Sequence, residues 1–547
     1  MNSPESAQDW TPQTTRLIFW SAMVLHSLAW IWGPTWVIPN YQPDTIEMMV
    51  SGQNWVISTL KHPSLNSWVV EVISRLTGHA ECAPYVAAQL AAVLAVWGVW
   101  KFAERCVSRK LAVVAALAAL AYFSLGTRNF NYDNLTFLRT FWVLSGYFLL
   151  CAVQDNRLRD WFLCGVCIAG GLYCHALMVL HVLTVLVYMG VDPTARRYWR
   201  TWGPYLATLT SFLLVLPLIL WTVRHQFPQL TYGVGTFVSE YSGVWGHLYY
   251  ACRLLVSQFL LWLTVLLPLL PLLGFHWRWN GKGFWSTPAE RLMTTFVVFP
   301  LLVEFLISLF AETRVSIRWS YPIWQFLPVW LLCIVNCRTD SVALRRGVWW
   351  GGVNLVLLFV VPLAVVAVRP AFSDRHCRLY YPGKEVTRIV ETAWKAHSDA
   401  PFRAVRGDTW VAGCVNVYSP SRPQVWSTLW TDEETFRKTG GMLVWIEPAD
   451  EEHGRMYSQL NYYGDDCFYT EGQTAPTEWL EKFPTAQVLE SVTLGHVMPF
   501  RSDVTVVVEK QGGAEETQGK TANPVPTERF LMFPVRVGMA YVPPESP

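Results

Sequence analysis

Two carboxylates and a scatter of cations beside apolar stretches carry the chemistry this sequence can do. The segment Tyr41-Gln-Pro-Asp44-Thr-Ile-Glu47 sets two acids three residues apart, on one face of a helix beginning after Pro43. An acid of this kind beside a low-dielectric boundary can deprotonate an acceptor hydroxyl or share a divalent metal with a second acid. A plainer role stands beside that one, because acids favour the first turn of any helix. A second acid, Asp133, lies in Arg128-Asn-Phe-Asn-Tyr-Asp133-Asn134. Lys61, His62, His175, Arg224, His225, Arg314 and Arg318 recur in connections on the same face as these acids. Singly, each is an ordinary span-end anchor. Together they suit a phosphate or diphosphate leaving group, with arginine offering bidentate contacts.

The elements that must position these groups are membrane spans. Of 547 residues, 15% are charged and 52% hydrophobic, and soluble chains carry about 25% charged residues, so a single soluble globule is excluded. The formal net charge of +2, with basic residues interleaved among apolar stretches, disfavours nucleic acid as a partner. Stretches able to cross ~30 Å of hydrocarbon are Leu17–Ile38, Tyr85–Trp100, Leu111–Leu125, Leu135–Val153, Trp161–Cys174, Ala176–Val191, Trp202–Val223, Leu248–Phe275, Leu292–Ala311, Trp319–Asn336 and Val348–Val368, about eleven in all. Met1–Arg16 lacks the pattern of a cleaved signal, so the first stretch reads as a retained span. Alternate connections carry Lys101/Arg105/Arg109/Lys110, Arg157/Arg159, Arg196/Arg197/Arg200, Arg278/Lys282 and Arg338/Arg345/Arg346, which assigns them to the cytoplasm. The first external loop, 39–84, and the polar part after the last span then face the opposite compartment, the periplasm in a two-membrane bacterium.

The chain divides into a membrane part, 1–370, and a C-terminal part, 371–547. The latter alternates helix-like Lys384–His397 and Asp432–Thr439 with strand-like Phe402–Val405, Met442–Ile446, Gln487–Leu494 and Val504–Glu509, and reads as an α/β domain, with 511–527 a mobile loop. Most of the twelve cysteines sit in apolar runs and read as packing, Cys164-x-x-Cys167 included. Cys377, Cys414 and Cys467 allow one disulfide, with the pair left open. No P-loop, GxGxxG, HExxH or GxSxG occurs, so nucleotide-driven transport and metallopeptidase chemistry have no support.

The order of these segments resembles the GT-C membrane glycosyltransferases. The motifs are Asp44-x-x-Glu47 in a first external loop, His62-Pro-Ser-Leu, Tyr132-Asp-Asn, Gly170-Gly-Leu-Tyr-Cys-His-Ala, Leu216-Pro-x-x-x-Trp221-x-x-x-His225 and Arg318-Trp-Ser-Tyr-Pro-Ile-Trp. The likeness is to bacterial members related to lipid A 4-amino-4-deoxy-L-arabinose transferase and to protein O-mannosyltransferases, over about residues 15–335 and more loosely 402–446. It implies a polytopic helical fold, a polyprenyl-phosphate sugar as donor, and transfer with inversion. Asp44 would then be the catalytic acid–base residue with Glu47 beside it. Lys61, His62, His175, Arg224, His225 and Arg318 would meet the donor phosphate, and Asp133 matches an acidic position that helps hold a divalent metal in some members. Ser64 stands where relatives have a second proline, and Lys61 where the arabinose-transferring branch has an acid. His175 replaces a frequent lysine, which would make a phosphate contact there sensitive to pH.

No nucleotide cofactor is needed, because the leaving group arrives already anchored in lipid. The acceptor stays open among lipid A, another envelope glycan, a lipid and a protein hydroxyl. A transporter or flippase of a lipid-linked or small polar substrate is the rival class. Carriers place ionisable groups at mid-membrane, and here only Glu304 does so while the acids gather outside. The plain reading of the C-terminal part is a lid that narrows acceptor access.

Overall fold

The computed structural model describes residues 10–123, 130–235, 243–274, 285–311, 315–372, 378–407, 409–426, 433–447, 477–494, 506–510, 513–515 and 535–544. Helix α1 (Pro12–Val37) opens on the Thr11 hydroxyl, which accepts the Thr14 amide, with Pro12 in the first turn. Two short helices follow outside the spans, α2 (Pro43–Gln53) and α3 (Leu65–Leu76). Then come α4 (Ala83–Glu104), α5 (Arg109–Phe123), α6 (Thr136–Asp155), α7 (Leu158–Leu172), α8 (Met178–Val191), α9 (Pro193–Arg196), α10 (Trp202–Arg224), α11 (Pro228–Gly235) and α12 (Gly243–Leu273). Helix α13 (Pro288–Phe310) starts with a reciprocal capping box between Thr287 and Glu290, and α14 (Leu327–Ile334) and α15 (Ser341–Phe372) complete the helical part.

Among the described residues six helices are long and apolar enough to cross a membrane, α1, α4, α6, α10, α13 and α15, or up to eight if the bent pairs 178–200 and 243–273 each count as one span. The other three expected spans take different forms. Helices α5 and α7 have only 15 residues each. Residues 319–336 do not form one span-length helix: the 3₁₀ turns Ile317–Ser320 and Ile323–Phe326 precede the eight-residue α14, as Pro322 and Pro328 remove backbone donors that a continuous helix needs. Helix α5 is the centre of the bundle. Its small residues from Ala112 to Ala121 are buried on every side, whereas Leu17, Trp20, Leu25 and Trp36 of α1 and Leu209, Phe212 and Leu220 of α10 face outward.

The C-terminal residues form an eight-stranded sheet: β1 (Ala404–Gly407), β2 (Gln424–Val425), β3 (Gly441–Glu447), β4 (Gln487–Val488), β5 (Val492–Leu494), β6 (Val506–Lys510), β7 (Gly513–Glu515) and β8 (Val535–Val542). The order is β2-β1-β3-β8-β5-β6-β7, with β4 also on β8. Strand β1 runs parallel to β2 and β3, while β3–β8 is antiparallel in the register Met442↔Tyr541. Helices α16 (Gly383–His397) and α17 (Thr409–Tyr418) pack on it. The stretch 487–494 is two short strands rather than one, and β7 falls inside the expected mobile loop, most of which lies outside the described residues. Cys377 and Cys467 also lie outside them; Cys414 is buried, its thiol donating to Asn40 Oδ1 at 3.8 Å.

This α/β layer rests on the first external loop. The Glu71 carboxylate, fully buried, accepts from Arg422 Nη2 at 3.0 Å and Nη1 at 3.2 Å. Within the loop, α2 and α3 approach so closely that a Cβ added to Gly52 would stand 2.3 Å from the Ser67 carbonyl oxygen. Gly52→Ala should therefore destabilise the protein by about 1–3 kcal/mol, the usual result of overpacking, read as a lowered unfolding midpoint in detergent.

Candidate active site

Helix α2 begins with Pro43 in its first turn, so Asp44 sits where backbone amides are unpaired and the helix dipole favours an anion. Thr45 fixes the second loop to the first: its hydroxyl bonds Asn131 Oδ1 at 3.1 Å and accepts the Tyr132 amide at 2.9 Å. Tyr132 Oη donates to the Asn66 carbonyl at 2.7 Å, and the Asn66 amide donates to the Asn134 carbonyl at 2.9 Å. Two loops distant in sequence are thereby joined into one surface.

On that surface Asp44 meets three donors. Asn131 Nδ2 donates to Oδ2 at 2.8 Å, Arg318 Nη1 lies 3.3 Å from the same oxygen, and Lys61 Nζ lies 3.6 Å from Oδ1. Lys61 also binds Glu47 Oε2 at 3.0 Å. Burial alone would raise the Asp44 carboxyl, but Lys61 and Arg318, with the Asn131 bond, outweigh it and hold the group at about 2. Glu47, buried more deeply and repelled by Asp44, is shifted upward despite Lys61. Burial would lower the Lys61 ammonium, yet the two acids hold it charged and raise it. Arg318 arrives from the 3₁₀ turn Ile317–Ser320, which a chain of hydrogen bonds anchors in the bundle. Trp324 Nε1 donates to Gln258 Oε1 at 2.6 Å, Gln258 Nε2 to Ser320 Oγ at 2.7 Å, and Ser320 Oγ to Glu304 Oε2 at 2.5 Å.

Lys61 and His62 are presented by a tight turn in which the Thr59 hydroxyl accepts the amides of Lys61 at 3.2 Å and His62 at 3.0 Å. The His62 and His175 rings lie 4.9 Å apart, with Tyr232 edge-on to His62 at 5.7 Å. His175 is a cavity-lining imidazole beside Lys61. Its Nδ1 accepts the Leu177 amide at 2.9 Å, which leaves the ring proton on Nε2. Burial and the nearby Lys61 lower it to about 4, and burial, His175 and Lys61 push His62 well below its ordinary value.

These groups head a cavity of about 1200 Å³. Lys61, His62, His175, Arg253 and Arg318 line it together with an apolar wall from α7, α8, α10 and α12 that includes Leu172, Val215, Leu218 and Leu254. Asp44 stands at the rim, 29% exposed, joined to the cavity through Lys61 and Arg318.

Arg224 and His225 do not line this cavity. Both are exposed at the end of α10, where His225 stacks on Trp221 at 4.1 Å. Asp133 ties the start of α6, its Oδ1 accepting the Leu135 amide at 3.0 Å and the Thr136 hydroxyl at 3.2 Å. Burial raises its carboxyl. The donor set around Asp44 fits a metal poorly, since an ammonium, a guanidinium and a carboxamide occupy the directions in which a divalent ion would need oxygens. Among the described residues no group of three His, Cys, Asp or Glu could hold one. Arg314 lies outside the described residues. Three cavity or rim groups escape a reading from the sequence. Arg253 has a signal in retrospect, a lone Arg with no Asp, Glu or Lys in the 31 residues of α12. Asn131 and Tyr232 carry none.

The polytopic helical bundle has the GT-C membrane glycosyltransferase fold. The chain is similar to ArnT from Cupriavidus metallidurans, in the crystal structure bound to undecaprenyl phosphate (14% identity, TM-score 0.52) and in the apo state (15% identity, TM-score 0.53). Each likeness covers 82% of this chain and 95% of the other. The family described as dolichyl-phosphate-mannose-protein mannosyltransferase matches residues 61–221. No curated protein matches.

A carboxyl held below its unfolded value stabilises the fold fully above that value, and the contribution is lost as pH falls through about 2 for Asp44. Lys61→Met removes one of the two cations and should move this acid-induced loss to higher pH by about one unit. Lys61→Arg should leave it in place; unfolding midpoints measured across acidic pH decide.

Proposed function

We propose that this protein is an inverting glycosyltransferase that moves a sugar from a polyprenyl-phosphate carrier to a hydroxyl at the outer face of the bacterial cytoplasmic membrane. The observation that carries the reading is an ionised Asp44 at the rim of a cavity whose head is cationic and whose body is apolar. A prenyl tail suits the wall formed by α7, α8, α10 and α12, and a phosphate suits the head. Arg253 lines the same cavity from within an otherwise uncharged apolar helix and supplies a further cation for a ligand anion. The likeness to a structure bound to undecaprenyl phosphate points the same way.

In this reaction the acceptor oxygen attacks the anomeric carbon as Asp44 takes the acceptor proton. The bond from that carbon to the phosphate oxygen breaks on the opposite face, and its electron pair leaves on the polyprenyl phosphate. Arg253, Arg318 and Lys61 stabilise the charge, and the neutral imidazoles of His62 and His175 offer N–H donors. The donor phosphate competes with Asp44 for Lys61 and Arg318, which line the cavity and pair with the acid at once. Occupation of the head by phosphate thus loosens the grip on Asp44 and raises its basicity toward what proton abstraction needs. No nucleotide takes part. The membrane part is 1–370 and the α/β part 371–547, both the site and the latter lying on the periplasmic side. Lipid A, another envelope glycan or lipid, or a protein hydroxyl would serve as acceptor. The carrier alternative is not favoured by the fold.

Asp44→Asn should abolish transfer in membranes supplied with a polyprenyl-phosphate sugar at undiminished protein abundance; undiminished transfer would remove Asp44 from the mechanism. Arg253→Ala should raise KM for the donor at least tenfold, the loss of one charge-assisted contact, with a smaller change in kcat.

A further inference from the structure

Helix α2, which carries Asp44, is held on one side by the site's own partners and on the other by the C-terminal α/β layer. Helix α17 lies along it. A Cβ added to Gly413 would stand 2.4 Å from Ile46 Cγ2 and 3.5 Å from Val50 Cγ2. Ile46 is fully buried and sits between the two acids in the chain, and its β-branched side chain has little freedom to turn away. Both ends of α2 are gripped as well. Before it, the Tyr41 amide donates to Tyr418 Oη at 2.8 Å, and the two rings stack at 5.4 Å and 11°. Past it, Gln53 accepts from the Asn416 amide and donates to the Arg422 carbonyl at 3.0 Å, and Gln424 Nε2 donates to Asn54 Oδ1 at 2.7 Å. Arg422, which clamps Glu71 on α3, makes its bonds from a left-handed backbone at φ 45°, a conformation that costs a non-glycine residue energy and persists where its surroundings fix it.

We propose that α17 is a positioning element for Asp44, so that the C-terminal layer builds the active site as a buttress instead of covering it as a lid. Three contacts at the start, middle and end of one eleven-residue helix set its height above the cavity head. The distances from Asp44 to Lys61, Arg318 and Asn131 follow from that height. The proposal rests on Asp44 being the acid of the reaction proposed above.

The charges facing Asp44 are Lys61 from the Thr59–His62 turn, Arg318 from the 3₁₀ turn, Glu47 from its own helix and Asp133 from the second loop. Helix α17 adds none, its sequence being TWVAGCVNVY. A change confined to α17 can therefore alter the titration of Asp44 only by moving α2, and this gives a discriminating test.

Full-length protein in liposomes would be assayed for release of polyprenyl phosphate from synthetic polyprenyl-phosphate pentose, hexose and amino-sugar donors, with envelope lipid extract as acceptor. Gly413→Ala should lower kcat by about 10- to 100-fold, as sub-ångström to ångström misplacement does. KM for the donor should stay within about threefold, since the cavity itself is untouched. The acid limb of the kcat profile should move to higher pH as Asp44 draws away from its cations. Adding Ile46→Ala, which removes the clashing methyl, should recover most of the lost kcat and return the acid limb. Tyr418→Phe, which deletes one hydrogen bond and keeps the stack, should give a milder change in the same direction. Hydrogen exchange of the α2 amides should rise in Gly413→Ala and fall again in the double variant. Wild-type kcat, acid limb and α2 exchange in Gly413→Ala, beside an inactive Asp44→Asn, would overturn the positioning role. Full activity of Asp44→Asn would instead overturn the reaction assigned to that acid. Should no donor turn over, unchanged α2 exchange in Gly413→Ala and Tyr418→Phe would overturn the buttress by itself.

Discussion

Charge balance at the edge of a low-dielectric body governs this structure. Asp44 and Glu47 on one short helix require compensation, because an uncompensated buried charge costs several kcal/mol. Two cations supply it from far along the chain, Lys61 in the same loop and Arg318 some 274 residues away. To bring them together, the Thr45–Asn131–Tyr132 and Asn66–Asn134 bonds must join the first and second loops, and the 3₁₀ turn at Ile317–Ser320 must enter the bundle beside them. The break that Pro322 and Pro328 impose on residues 319–336 leaves Arg318 on a short 3₁₀ turn, from which it reaches Asp44.

The cavity below the cluster has the same division as the proposed donor. One end offers guanidinium, ammonium and imidazole groups, and the body offers leucine and valine from four helices. Neutral histidines suit the wall: an imidazole of depressed basicity is cheaper to bury than a cation, and still donates one N–H. The formal positive charge of the lining rests on Lys61, Arg253 and Arg318, of which two are already engaged by Asp44. In the proposed reaction, sharing cations between a base and a leaving group would couple the arrival of donor to the strength of the base.

Much of this was legible in the chain. Asp44 and Glu47 fall on one helix because Pro43 starts it, and Lys61, His62, His175 and Arg318, which the count of spans assigns to connections on one side, line one cavity. The strands at 404–407 and 441–447 announce themselves by apolar runs flanked by turn residues. Other features depend on partners distant in sequence. Arg224 and His225 satisfy the same span-end pattern as Arg318, yet Thr222 and Val223 beside them line the cavity while these two are exposed outside it, and nothing local records which side of a helix end faces inward. Asp133 has the place of a metal ligand in its motif, whereas its oxygen is engaged by the first turn of α6. Arg253 is hidden by its apolar surroundings, and the packing of α17 on α2 is carried by a glycine and an isoleucine whose meeting only the folded chain reveals.

The hydrogen-bond chain from Trp324 through Gln258 and Ser320 to Glu304 runs one way only. An indole can only donate, and the serine has a single proton, which goes to the carboxylate once the hydroxyl has accepted the amide. The backbone bearing Arg318 is therefore moored to the interior two residues from the guanidinium. In the proposed reaction the travel of this cation would be that of its own side-chain torsions, a throw of one arginine's reach rather than that of a moving loop.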